Sequence, residues 1–256
     1  MKSTWNRYYD VTKRLSLLTG QWPYQNKRNR MLRTGVIMSN VLVINVPQMC
    51  KFIQCDGDVE CILRVMPSYM LMIVIMLKTC LCQYKSSKMR ILTKRVIDDW
   101  ENLQTPEEYE IMKMYATGAK WLVLAYSAVC LIGVAIFMAM ALISRVLDIV
   151  LPLNESRPVT LPFEAYYFVD ERKYFFYIFS QGFLAGVVSM MGLVAYDTMF
   201  MTFVEHVCGT FAVAGFRFEH LMCESIDIIR VVNNTLDKVY NQRMAHCVKI
   251  HWAALE

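Results

Sequence analysis

The chain has 256 residues, of which 56% are hydrophobic and 19% charged, with a net charge of +5 at pH 7. Soluble domains run near about 45–50% apolar and about 25% charged, so both departures point toward lipid and away from a water-soluble enzyme or nucleic-acid-binding domain. Ten Gly and seven Pro argue against a turn-rich β protein, while nineteen Met and fourteen Tyr suit adaptable helix packing and aromatic belts.

Residues 1–33 form a basic leader without the apolar stretch and small-residue cleavage site of a secretory signal. The first spanning helix is therefore expected to act as the insertion signal. Near the end of the leader, Gly20-Gln21-Trp22-Pro23-Tyr24 breaks the helical pattern. Here Trp22 and Tyr24 read as interface anchors with their rings at headgroup depth.

Thr34 to Cys50 is free of charge and predicts a first span over 34–53. Asp56-Gly57-Asp58-Val59-Glu60 follows, bracketed by Cys55 and Cys61, which can close a small loop in an oxidising compartment. Val65 to Leu77 is charge-free and predicts a second span over 62–82, with Lys78 snorkelling to the interface. Trp121 to Ser144 and Tyr174 to Tyr196 contain no charged residue, and each exceeds the roughly 20 residues that cross a bilayer core. They predict a third span over 119–147 and a fourth over 174–199, separated by a loop over 148–173. From 200 to 256 apolar residues recur at helical spacing among charges, which predicts amphipathic helices continuing beyond the membrane.

The loops orient the chain. Lys13, Arg14, Lys27, Arg28, Arg30 and Arg33 precede the first span, and Lys85, Lys88, Arg90, Lys94 and Arg95 lie between the second and third. Arg217, Arg230, Lys238, Arg243 and Lys249 follow the fourth. Lys/Arg-rich loops stay in the cytoplasm, so the N-terminus is expected inside. The sequon Asn154-Glu155-Ser156 then falls in an outer loop, which makes Asn154 a glycosylation candidate.

Catalytic and metal motifs are not evident. No GxSxG, HExxH or P-loop occurs. His206, Cys208, His220 and Cys223 match no common zinc spacing, and His246 and His251 miss the i, i+4 face. An enzyme, a bound metal and a cofactor are therefore not expected. Asp197, just past the fourth charge-free run, reads as an interfacial residue.

The spans instead offer large uncharged side chains in their outer halves. These are Met66, Tyr69, Met70, Met72 and Ile73 in the second, and Phe137, Met138, Met140 and Ile143 in the third. The fourth adds Tyr177, Gln181, Phe183, Leu184 and Val188. A pocket among them would be apolar and Met-lined, and would suit small volatile or lipophilic ligands held by shape and dispersion.

Several stretches in order carry a family likeness: Gly20-Gln21-Trp22-Pro23-Tyr24, Leu161-Pro162-Phe163 with Tyr166, Val169-Asp170, Tyr174-Phe175, Val204-Glu205-His206-Val207-Cys208-Gly209, and Arg217-Phe218-Glu219-His220-Leu221. His246-Cys247-Val248-Lys249-Ile250-His251 looks like the approach to a fifth helix. With the inside N-terminus, the chain resembles an insect odorant receptor of the hymenopteran-type expansion. The resemblance implies an all-α membrane bundle of seven helices with inverted topology, of which four are present here. It implies a tuning subunit of an odorant-gated cation channel, assembled as a heterotetramer with a shared co-receptor in the plasma membrane of olfactory neuron dendrites. It further implies a ligand pocket among the second, third, fourth and sixth helices and a pore lined by the seventh. The expectation is a chain truncated before its fifth to seventh helices, which does not conduct alone. Two other readings stay open: a gustatory receptor of the same superfamily, and a truncated non-channel protein that only binds the co-receptor.

Overall fold

The computed structural model describes residues 7–151, 161–170, 172–228, 244, 245 and 248, and of helix residues 144, 145, 148, 149 and 221–228 it describes the backbone alone. Helices α1 (Asp10–Leu18), α2 (Lys27–Gln54), α3 (Val59–Tyr84), α4 (Ser86–Glu101), α5 (Pro106–Val150) and α6 (Phe175–Ile228) follow in chain order. No strand occurs among the described residues. Four of these helices, α2, α3, α5 and α6, are long and apolar enough to cross a membrane. The expected spans 34–53, 62–82 and 119–147 lie within α2, α3 and α5. The expected span 174–199 begins one residue before α6, and that helix runs on without a break to Ile228.

Local sequence explains where the helices begin. Asn26 caps α2 by accepting from Arg28 N–H at 3.2 Å, and Asp58 caps α3 by accepting from Glu60 N–H at 3.1 Å. Between them Asp56 and Gly57 take positive φ values of 42° and 86°, which reverses the chain within a few residues. Cys55 and Cys61 are joined by a disulfide across this turn, with Cα atoms 5.6 Å apart. At α5, Pro106 occupies the first turn, where its missing N–H costs nothing. Thr105 Oγ1 accepts from Glu108 N–H at 3.3 Å, and Glu108 Oε2 accepts from Gln104 N–H at 2.7 Å. This reciprocal arrangement is a variant of the capping box.

The chain divides into two compact units. One comprises Thr12–Arg90 and Leu124–Met199. Its core is Ile37, Val41, Ile75 and Leu193, against which Met72, Met76, Val188 and Met190 pack. The Gly20–Tyr24 turn belongs to this unit and is tied into it. Gly20 has φ +72°, and a Cβ there would fall 2.7 Å from the Arg30 carbonyl oxygen, so only glycine fits. Gln21 Nε2 donates to the Gly192 carbonyl at 2.7 Å. Gln83 Nε2 reaches both the Gly20 carbonyl at 2.9 Å and Thr34 Oγ1 at 2.7 Å. The Arg90 guanidinium donates to the Pro23 carbonyl and lies over the Tyr24 ring, 5.3 Å from its centroid.

Trp22 is only 7% exposed. The headgroup-depth role expected for it is therefore corrected. A turn rich in backbone polar groups needs partners, α1, α3 and α4 supply them through the Ser16 carbonyl, Gln83 and Arg90, and the indole is buried with the turn. Tyr24 remains exposed, with its hydroxyl donating to the Arg90 carbonyl at 3.1 Å.

The other unit comprises Met1–Val11, Ile91–Val123 and Phe200–Glu256. Tyr8 stacks on Trp100 at 5.2 Å, and Tyr109 meets Trp100 edge-on at 5.5 Å. Trp100 Nε1 donates to the Tyr9 hydroxyl at 3.3 Å. Burial pushes the Tyr9 phenol up to about 12, so the ring stays neutral. Arg217 grips Glu108 through two bonds of 2.6 Å, and both side chains are largely buried. His206, also buried, is 2.9 Å from Asp99 Oδ2 through Nε2. An ionised carboxylate only accepts, so that nitrogen carries the proton.

Candidate functional site

A cavity of about 590 Å³ opens within the first unit. That lies inside the range of about 300–1,000 Å³ in which small-molecule pockets fall. Its wall is built in helical stripes. Helix α3 gives Arg64, Pro67, Ser68, Leu71, Met72 and Ile75, spaced by three and four so that they share one face. Helix α5 gives Val129, Cys130, Gly133, Val134, Phe137 and Met138 in the same rhythm. Helix α6 gives Gly182, Gly186 and Met190, α2 gives Ile44 and Gln48, and the 161–170 loop closes one side with Pro162 and Phe163.

Small residues create the space. Beside Gly182 a Cβ would stand 3.2 Å from Phe163 Cζ, so glycine lets the loop lie against α6. The loop is pinned by Tyr166 N–H, which donates to the Pro47 carbonyl at 2.9 Å. Polar groups in the wall are few. Gln48 Nε2 donates to Ser68 Oγ at 2.7 Å, and Ser68 passes its own proton to the Val65 carbonyl at 3.1 Å. Arg64 is held by Glu60 at 2.6 Å. A cavity of this make-up has no nucleophile–base pair and binds by shape and dispersion.

A charged cluster sits about one to two helical turns along from the wall. Lys78, three residues beyond Ile75, places Nζ 2.6 Å from Asp197 Oδ1. Tyr126, four residues before Cys130, donates its hydroxyl to Asp197 Oδ2 at 2.7 Å. Lys78 and Asp197, each expected at the interface, are partners of one another. Each finds its counter-charge on a neighbouring helix, which costs less than facing lipid alone.

Of the residues expected in a pocket, Met72, Phe137 and Met138 line this cavity. The others do not. Val188 packs on the core cluster. Tyr69 directs its hydroxyl toward Met49 Sδ and stacks against Phe52 at 6.4 Å. Met66 and Ile73 are half-buried elsewhere on α3. Met70, Met140, Ile143, Tyr177, Phe183 and Leu184 are exposed and not part of the wall, and Gln181 is half-buried outside it. The reason is rotational. Grouping side chains by depth gathers neighbours that a helix points in different directions, whereas a wall takes one stripe. The stripe Arg64, Pro67, Ser68, Leu71, Met72, Ile75 was readable as spacing. Gln48 and Phe163 carried no such signal. Asn154 lies outside the described residues.

A family model described as 7tm Odorant receptor matches residues 58–256. Comparison with the curated proteins finds no match. The matched stretch takes in α3 through α6, hence three of the four membrane-crossing helices and most of the cavity wall. The chain is therefore a multi-pass membrane receptor that belongs to the odorant receptor family.

Proposed function

We propose that the chain is an odorant-tuning subunit that binds small volatile or lipophilic molecules in the cavity between α2, α3, α5 and α6. The observation that carries this reading is the cavity itself: ligand-sized, walled by aliphatic, Met and aromatic side chains, and contributed mainly by the region matched to the family. The basic stretches flanking α2, α3 and α6 support a cytoplasmic N-terminus. In that orientation the Cys55–Cys61 disulfide faces the oxidising side, where such bonds persist.

The family likeness supports a shared co-receptor as partner and a cation channel as output, at the plasma membrane of olfactory neurons. A ligand shifts such a channel only by binding one conformation better than another. A cavity whose wall combines four elements and a loop is suited to that.

The test is binding to the chain in lipid nanodiscs. Gly186→Phe, which projects a ring into the cavity, should abolish saturable uptake of a volatile ligand while leaving the helical content unchanged. Retained uptake would move the ligand site elsewhere. Patch-clamp recording from cells expressing these residues without a partner should show no odorant-evoked current. Co-purification with the co-receptor, but no restored current, would favour the non-channel reading.

A further inference from the structure

We propose that the end of the bundle where α2 begins and α3 finishes binds an anionic phospholipid, with the Arg90 guanidinium holding its phosphate. The inference is independent of the cavity and concerns a different part of the same unit.

Residues 12–33 and 83–90 contain Lys13, Arg14, Lys27, Arg28, Arg30, Arg33, Lys85, Lys88 and Arg90, and no acidic residue. Hydrogen bonds bring the two stretches together. Gln83 Nε2 donates to the Gly20 carbonyl and to Thr34 Oγ1, and the Tyr24 hydroxyl donates to the Arg90 carbonyl. Lys27, Arg28, Lys85, Lys88 and Arg90 are exposed, and none of these five side chains has a carboxylate partner among the described residues. The far ends of the same two helices differ. There Lys51 is 3.8 Å from Glu164, and Arg64 is 2.6 Å from Glu60. Cations gathered without counter-charge repel one another, and an external anion relieves that repulsion.

Two observations make that anion a lipid headgroup rather than a soluble phosphate or an acidic protein. Both α2 and α3 are membrane-crossing helices, and Arg33 directly precedes the charge-free stretch that starts at Thr34. The basic side chains are also interleaved with exposed apolar ones, Tyr24, Met31, Leu32 and Tyr84. Such a mixture suits the boundary of a bilayer, where apolar groups enter the lipid and cations meet phosphates. In the orientation proposed above, this end meets the cytoplasmic leaflet, where anionic lipids concentrate. Arg90 supplies a prepared contact. Its guanidinium donates to the Pro23 carbonyl at 2.9 Å and lies over the Tyr24 ring, and that bond is its one side-chain hydrogen bond among the described residues. The side chain is thus held in place while the rest of its planar fork is left to take phosphate oxygens. Little rotamer freedom remains to be lost on binding.

The experiment is native mass spectrometry of the full chain in a neutral detergent, with dioctanoyl phosphatidylserine and dioctanoyl phosphatidylcholine in competition. The two lipids share their chains, so uptake of a chain by the cavity cancels in the ratio. The expected result is phosphatidylserine bound about tenfold or more tightly, with the preference shrinking as ammonium acetate rises from about 0.1 M to about 1 M. Changing Lys27, Arg28, Lys85 and Lys88 together to Gln, all at exposed positions without a carboxylate partner, should lower phosphatidylserine affinity at least about fivefold and leave phosphatidylcholine unchanged. Arg90→Lys keeps the charge but loses the fork, and should weaken phosphatidylserine by about fivefold where Lys88→Arg does not. Equal affinity for the two lipids in the unmodified chain overturns the proposal, and so does an undiminished preference in the fourfold Gln variant, which keeps the test open where Arg90→Lys does not fold. Arg90→Lys binding as well as the unmodified chain overturns the role of Arg90. Displacement of phosphatidylserine by an equal concentration of glycerophosphoserine, the headgroup without its chains, overturns the lipid as occupant in favour of a soluble phosphate.

Discussion

The unit of residues 12–90 and 124–199 is packed around a hole, whereas the unit containing residues 91–123 and 200–228 is packed around charge. In the first, Ile37, Val41, Ile75 and Leu193 form the core, and glycines and methionines shape the space beside it. In the second, a Tyr8–Trp100–Tyr109 cluster stands beside the Glu108–Arg217 and Asp99–His206 pairs. The two kinds of packing respond differently to change. An apolar wall exchanges one side chain for another of similar volume at low cost, so its ligand preference can drift. A buried ion pair loses everything when one partner goes, so its region is held fixed.

That contrast is most exposed at Glu108. Glu108→Ala removes the partner of Arg217 and the acceptor for Gln104 N–H together, and should destabilise the chain by about 3–5 kcal/mol in thermal unfolding in detergent. A loss below about 1 kcal/mol, the scale of an exposed pair, would remove the distinction between the units. Asp197→Asn tests the Lys78–Asp197–Tyr126 cluster in the cavity-bearing unit. Lys78 and Asp197 are partly exposed, so the loss should be smaller, about 2–3 kcal/mol. The double variant Lys78→Met with Asp197→Leu should recover part of it.

Next comes the turn between α2 and α3. Replacing Cys55 and Cys61 by Ser should cost about 2 kcal/mol, the loop-closure contribution expected for a ring this short, and reducing agent should have no further effect on that variant.

The Tyr9 phenol gives a pH signature of comparable size confined to the charged unit. Its folded value of about 12 lies above the usual 10, so the folded state holds its proton more tightly than the unfolded one. The associated stability is fully present below pH 10 and is lost as the pH rises through about 12. Tyr9→Phe should flatten that fall, and an unchanged alkaline profile would place the titrating group elsewhere. At the small end, Met140→Ala should change stability by no more than about 0.5 kcal/mol, because its side chain is exposed on α5.

The amino-acid sequence determined the class of this protein. The uncharged stretches Trp121–Ser144 and Tyr174–Tyr196 are too long for anything but membrane-crossing helices, and composition excluded a β-rich fold, because burial in lipid leaves no alternative for backbone polar groups. The caps at Asn26 and Asp58 were also local, since an N-cap depends on its own neighbours.

Rotation and pairing were decided by tertiary structure. Depth along a span is a one-dimensional property and can be counted. Which face of a helix turns inward depends on its neighbours, so Met72 reaches the cavity while Met70 does not. The same holds for Trp22, buried because distant carbonyls and amides come to meet its turn. It holds for Lys78 and Asp197, which each looked like an exposed charge and are partners 2.6 Å apart. Such pairings join residues from 63 to 171 positions apart in the chain, and periodicity reports only on residues within a few turns of each other.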